Sequence, residues 1–254
     1  MLNAEREEKI KAYILEKRYA SLSELSEVFG VSVPTVRRCV KRLAADGVID
    51  IVRGGAMYLD NQRMVEQPYE IKRKLNLDEK KRIAEEASRQ IVDSDCVFLD
   101  SSSTVFEMLP HIQELNNLKV ATNDVVIATV LSGVPNVSVL VTGGSLRKGY
   151  NTLMGSFAET LLSQIHVDCA FIGVDAISRD GNFMITNSEE VGIKRAAFYG
   201  AAKRIVLCDH SKFEKSAFIS LWNHEKIDLI ITGRELDDNV FEYYLKLGLK
   251  IVRV

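Results

Sequence analysis

Residues 31–38 read V-S-V-P-T-V-R-R, and this stretch decides how the first part of the chain folds. Ser32 is placed to cap a helix, and Pro34 falls in the first turn, where its absent N–H leaves nothing unsatisfied. Val36, Val40 and Leu43 then recur at helical spacing, which leaves Thr35, Arg37, Arg38, Lys41 and Arg42 off the buried stripe. Upstream, Ile10, Tyr13 and Ile14 make a second stripe and Leu25, Val28 and Phe29 a third, with Ser23 as the expected N-cap and Gly30 as the stop. Each stripe is narrow, so three short helices can bury them only against one another. Downstream, Gly47 ends the third helix, residues 48–52 alternate, Gly54 and Gly55 turn the chain, and residues 56–59 return it, which predicts a small hairpin wing.

A helix whose exposed first turn is polar and cationic is suited to a DNA groove. In a helix-turn-helix the second helix of the motif brings its N-terminal residues to the base edges while Arg, Lys and backbone N–H groups hold phosphates. Ser32, Thr35, Arg37, Arg38, Lys41, Arg42 and, on the wing, Arg53 are the candidate contacts to double-stranded operator DNA. The competing reading is a merely solvated charged face, which is what most charge runs are. The order of short helix, glycine turn, cationic helix and glycine-tipped wing favours DNA. Charge distribution agrees: the chain carries −2 overall, yet residues 1–56 hold 10 basic and 8 acidic side chains.

The chain has 254 residues, 46% hydrophobic and 27% charged, with 15 Gly and 4 Pro, which excludes disordered, collagenous and membrane classes. Apolar runs such as residues 125–131 fall far short of the roughly 20 residues that span a bilayer. The polar start at residues 1–9 is unlike a signal peptide, so the expectation is a cytoplasmic protein without a membrane partner. Cys39, Cys96, Cys169 and Cys208 show no C-x-x-C spacing and read as free thiols.

Residues 60–78 are polar and charged, contain Pro68, and read as a linker with a possible helix near residues 69–77. The expected organisation is a winged helix-turn-helix domain at 1–59, this linker, and a larger domain at 79–254 that binds an effector and assembles oligomers. In the larger domain, apolar runs at residues 96–100, 119–122, 137–141, 169–174, 205–209, 228–232 and 250–254 alternate with helical patterns. The helical patterns fall at 105–112, 124–131, 157–165, 190–199 and 240–247. That alternation predicts a mostly parallel α/β sheet covered on both faces.

Ligands of such sheets sit beyond the carboxyl ends of the strands. There the sequence places Asp100, Ser102, Ser103 and Thr104, then Asn123, then Gly143 and Gly144 followed by Arg147. Farther on come Asp175, Glu189 and Lys194, and finally Lys212. Hydroxyls before a helix offer donors to an anion, glycines allow close backbone approach, and cations suit a phosphate. The Gly143–Gly149 stretch is not a P-loop, since G-x-x-x-x-G-K-[ST] is absent. Together these groups have the chemistry to hold a phosphorylated polyol, although each charge taken singly reads as a surface ion pair.

The stretch V-S-V-P-T-V-R-R at 31–38, followed by G-V-I-D-I-V-R-G-G-A at 47–56, resembles the N-terminal signature of DeoR-type bacterial repressors. Cys39, Ile51 and Arg53 stand where that family usually has Asp, often Arg, and frequently His. L-D-S-S-S-T at 99–104, A-T-N at 121–123, V-T-G-G at 141–144, D-C-A-F-I-G-V at 168–174 and D-H-S-K-F at 209–213 look like the effector domain of the same family. The resemblance implies a domain related to ribose-phosphate isomerase and glucosamine-phosphate deaminase that senses phosphorylated sugars. It implies ligand contacts at Ser102, Ser103, Thr104, Asn123, Gly144, Lys194 and Lys212, and a homodimer or homotetramer that represses a carbohydrate operon.

The alternative is an isomerase or deaminase-like enzyme carrying a DNA-binding head, with Asp175, Glu189 and Lys194 as base and cation. Asn182 follows Asp180-Gly181 where the deaminase pattern has a histidine, which favours the sensor. Isolated histidines at 111, 166, 210 and 224, without H-E-x-x-H or paired Cys/His spacing, predict no metal and no cofactor.

Overall fold

The computed structural model describes residues 3–17, 19–45, 49–52, 54–58, 66 and 69–254. The chain forms two compact units, Met1–Arg63 and Met64–Val254.

The first unit contains α1 (Asn3–Lys17), β1 (Tyr19–Ser21), α2 (Leu22–Phe29), α3 (Val33–Ala45), β2 (Ile49–Val52) and β3 (Gly55–Tyr58). Its core gathers Ile10, Ile14, Leu25, Val36, Val40 and Leu43, the helical stripes read from the sequence, with Ile49 and Ala56 from the wing. Val28, placed in the second stripe by its spacing, is half exposed instead, and Phe29 and Tyr13 meet edge to face. The cap of α2 is Ser21 rather than Ser23: its hydroxyl accepts from Glu24 N–H while the Glu24 carboxylate accepts from Ser21 N–H, a capping box. β3 pairs antiparallel with β2 as the wing and also with β1, so the hairpin grows to three strands. Gly47, Val48, Arg53 and Leu59 lie outside the described residues.

The second unit begins with α4 (Tyr69–Lys74) and α5 (Leu77–Ser88) and continues through β4 (Cys96–Leu99), α6 (Leu109–Ile112), β5 (Leu118–Thr122), α7 (Val125–Leu131) and β6 (Val137–Val141). A small pair, β7 (Ser145–Leu146) and β8 (Leu153–Met154), precedes α8 (Ser156–Gln164) and β9 (Val167–Gly173). Then come β10 (Ala176–Ile177), β11 (Asn182–Ile185), α9 (Val191–Tyr199), β12 (Ala201–Leu207), β13 (Ile219–Asn223), β14 (Leu229–Thr232), α10 (Asp238–Lys246) and β15 (Ile251–Arg253).

Seven strands form one sheet in the order β15-β14-β12-β9-β4-β5-β6, every neighbouring pair parallel. Alternate side chains divide it into two cores. Phe98, Ala170, Ile172, Val206 and Ile230 pack with Ala158, Leu162, Ile193, Phe198 and Tyr244 on one face. Val97, Leu99, Phe171, Ile205, Leu207 and Ile231 pack with Ile83, Met108, Leu109, Ile127 and Leu131 on the other. Burial on both faces is why the inner strands β4, β9 and β14 read as apolar runs. The chain builds β4, β5 and β6 outward in one direction and then returns to place β9 on the other side of β4. Strand order therefore reverses between β4 and β9, which opens a crevice at their carboxyl ends.

Candidate nucleic-acid interface and anion crevice

On the first unit, the buried positions of α3 alternate with an outward row. Ser32, Arg37, Arg38, Lys41 and Arg42 are exposed and Thr35 is half-buried. The Ser32 carbonyl accepts the first helical bonds from Thr35 and Val36, and its hydroxyl meets the Thr35 hydroxyl at 3.0 Å. Arg42 is the exception in this row, because it donates to Glu7 on α1 at 2.9 Å. The expected cationic first turn is therefore shifted: the first turn is Val33–Val36, and the second turn presents Arg37 and Arg38 to solvent, while the remaining candidate, Arg53, is outside the described residues.

The crevice of the second unit is built on a buried ion pair. Asp100 closes β4 and takes the Gly173 N–H at 3.0 Å on one oxygen, tying the ends of β4 and β9. Lys194, from α9, pairs with that same oxygen and donates to the Gly173 carbonyl at 3.0 Å. Both side chains are buried, and the Glu190 carboxylate lies 3.9 Å from the ammonium. Burial would lower the Lys194 pKa, but Asp100 and Glu190 outweigh it and hold the lysine more basic than usual. The second oxygen of Asp100 is buried with no hydrogen-bond partner among the described residues. Gly173 is required here by close approach, since a Cβ would collide with the Ser102 side chain.

The hydroxyl loop is held from behind. Asn123 accepts the Ser101 N–H at 2.9 Å, and the Ser101 hydroxyl donates to Asp124 at 2.7 Å while accepting from Thr152 at 2.8 Å. Asp124 in turn caps α7 through the N–H groups of Val126 and Ile127. Asn123 therefore locks the loop instead of facing outward, and Ser101, a residue the motif reading passed over, is the pivot. The helix expected after Thr104 starts as a short 3-10 turn, Val105–Met108, so the loop has no long helix N-terminus behind it. Ser102 and Ser103 are half-buried and Thr104 is buried.

At the rim, Arg147 forks onto Glu66 at 2.6 and 2.7 Å, donates to Glu190 at 2.9 Å, and stacks over Tyr150 at 3.7 Å. Gly143 and Gly144 before it are exposed and have φ of +69° and +100°, a region that favours glycine. Asp175 receives Lys72 at 3.0 Å and the Thr186 N–H at 2.8 Å. Burial would raise the Asp175 carboxyl, but Lys72, Thr186 and Lys212 prevail and hold it far below the usual carboxylate range. Glu189 is exposed while its neighbour Glu190 turns inward, so the inward acid is one residue later than the sequence reading placed it.

His210 is not isolated. Its N–H donates to Glu79 at 2.7 Å and its Nδ1 meets the other Glu79 oxygen at 2.8 Å, while Asp209 accepts from Asn76, at 3.0 Å, and from Ser211. Glu79, Asp209 and His210 bring potential metal-ligand atoms within 4.8 Å of one another. These oxygens already serve local donors, a loop-fastening role. Lys212 follows on the same turn, half-buried; its N–H donates to the Asp209 carbonyl at 3.2 Å, while its side chain makes no hydrogen bond or ion pair among the described residues. Lys80 lies beneath, buried, donating to the Lys72 carbonyl, and burial pushes its pKa down to about 8.

Residues 6–62 match the DeoR-like helix-turn-helix domain and residues 75–234 the DeoR C-terminal sensor domain. The chain is 31% identical to the HTH-type transcriptional regulator IolR of Bacillus subtilis, over 93% of each chain. It is 27% identical to the glycerol-3-phosphate regulon repressor of Escherichia coli, over 91% of each. A solved ribose 5-phosphate isomerase A from Methanocaldococcus jannaschii covers 54% of this chain and 55% of its own, at 19% identity and a TM-score of 0.41. Among the described residues no helix is long and apolar enough to cross a membrane. Matched along both of its units and almost end to end by a named regulator, the chain belongs to the DeoR family of transcriptional regulators.

Proposed function

We propose that the chain represses a carbohydrate operon and that a phosphorylated sugar bound in the β4/β9 crevice sets its operator affinity. Residues 1–59 read DNA through α3 and the wing, 60–78 connect, and 79–254 sense and assemble a homodimer or homotetramer. The observation that carries the effector reading is Lys212. The cations Lys72, Arg147 and Lys194 are each in direct ion pairs with an acid, whereas the half-buried Lys212 side chain makes no hydrogen bond or ion pair among the described residues and acts on Asp209 and Asp175 only through space. A phosphate oxygen supplies the direct contact that Lys212 lacks, and Ser102, Ser103, Gly143 and Gly144 offer hydroxyl and backbone groups at the neighbouring strand ends. The unpartnered Asp100 oxygen, whose burial costs about 1–3 kcal/mol, suits a sugar hydroxyl.

Control of DNA binding requires that the ligand prefer one arrangement of the protein, and a coupling of about 1–3 kcal/mol changes operator affinity about 5–150-fold. The test is a thermal-shift screen against phosphosugars, since a ligand of the native state stabilises by mass action. The hit should release promoter fragments from the wild type, while Lys212→Ala should bind DNA normally and fail to respond. A Lys212→Ala protein that still releases DNA at the normal ligand concentration removes Lys212 from the site. Two copies on paired half-sites are expected, because one small head makes few phosphate contacts. Full affinity of a monomer for one half-site would refute that.

A further inference from the structure

Arg147 is a phosphate-shaped donor already in use. Its guanidinium forks onto the two oxygens of Glu66, with Glu190 on one side and the Tyr150 ring beneath. An Arg fork accepts a carboxylate or a phosphate with the same two parallel bonds, so the two anions compete for one face. Asp175 lies between β9 and β10 and Glu190 directly before α9, both well inside the sheet domain. Glu66 differs. It stands three residues beyond Arg63, the last residue of the first unit, close to the start of the second.

We propose that Glu66 is an internal stand-in for the effector phosphate, clamping the interdomain connection to the sensor domain until the ligand takes Arg147 and expels it. The proposal rests on the crevice reading above and adds its output. Lys72 strengthens the clamp, since it bridges Asp175 at 3.0 Å and Glu66 at 3.9 Å. An arriving phosphate, carrying close to two negative charges at neutral pH, cannot share the fork with Glu66. Expulsion frees the first residue after Arg63 that the sensor domain holds among the described residues, so occupancy of the crevice is converted into freedom of the chain at the start of that domain.

The experiment uses the full-length protein and inorganic phosphate or glycerol 3-phosphate as probes. Glu66→Gln, which keeps the shape and removes the competing charge, should bind either probe about tenfold more tightly than wild type. Glu70→Gln, which removes an exposed acid from α4, should change affinity less than about twofold, separating displacement from general electrostatics. In the wild type, saturating glycerol 3-phosphate should also speed amide hydrogen exchange over residues 66–75. Equal affinities for wild type and Glu66→Gln, equal gains in the two variants, or unchanged exchange over 66–75 in a protein that binds the probe would overturn the clamp while leaving the crevice as the ligand site. Failure of wild type and Glu66→Gln alike to bind either probe would overturn both.

Discussion

The reading face of α3 and the crevice between β4 and β9 both collect charge, but under opposite physical conditions. Arg37, Arg38 and Lys41 project from a helix whose inner side is sealed by Val36, Val40 and Leu43, so they remain hydrated. Asp100, Lys194, Glu190 and Arg147 are largely withdrawn from water and hold one another. Hydrated cations can follow a flexible polyanion, and their contribution falls with salt. Desolvated pairs are fixed in place, respond steeply to loss of a partner, and discriminate by geometry. On the proposed function, one protein thus uses both regimes: adaptable attraction toward DNA and rigid selection toward a small ligand.

That contrast can be broken by measurement, starting with the largest effect. Asp100→Ala strands the Lys194 charge in a buried site and should lower unfolding free energy by about 3–5 kcal/mol in urea titrations. Adding Lys194→Met should recover part of it. A loss below about 1 kcal/mol would place this pair with ordinary surface pairs and erase the distinction. Next is Lys80, whose pKa of about 8 lies below its unfolded value. Between about pH 8 and 10.4 the unfolded chain binds more protons, so stability should rise with pH through this window, by about 2–3 kcal/mol in all. The rise should vanish in Lys80→Met, and an identical pH profile in both proteins would show that Lys80 is not the source.

Smaller effects belong to the hydrated face. Arg37→Ala and Arg38→Ala should each weaken operator binding by about 1–3 kcal/mol if the side chain reads a base, with stability changed by under about 0.5 kcal/mol. Unaltered operator affinity in both variants would remove α3 as the reading helix. Arg42→Ala should cost less than about 1 kcal/mol of stability, because its pair with Glu7 is largely exposed.

How much of this was legible depends on range. All seven sheet strands coincide with apolar runs visible in the sequence; for the inner strands β4, β9 and β14, burial on two faces leaves little polar alternation to interrupt them. The antiparallel pieces escape notice: Ala176–Ile177 and Ser145–Leu146 are two residues each, too short for any period. The α2 cap was readable and misread, since S-x-x-E fits Ser21 and Glu24 and not Ser23. Candidate ligand residues at strand ends could be named because topology fixes where strand ends meet. Their partners could not be named, because Glu66 and Arg147 stand 81 positions apart and His210 and Glu79 stand 131 apart. Neighbouring acids such as Glu189 and Glu190 are separated only by the turn that carries them.

The contact between Gly173 and Ser102 carries a lesson for anyone who wants this regulator to answer a new inducer. No side chain fits at 173 without displacing the loop opposite, so the floor of the pocket is closed to variation. On the proposed site, diversity introduced at Ser103 and Lys212 alters the walls while the floor keeps its shape. A library that leaves position 173 and the paired Arg147 alone and varies Ser103 and Lys212 should therefore keep the fold, where one that includes position 173 spends its members on collapsed proteins.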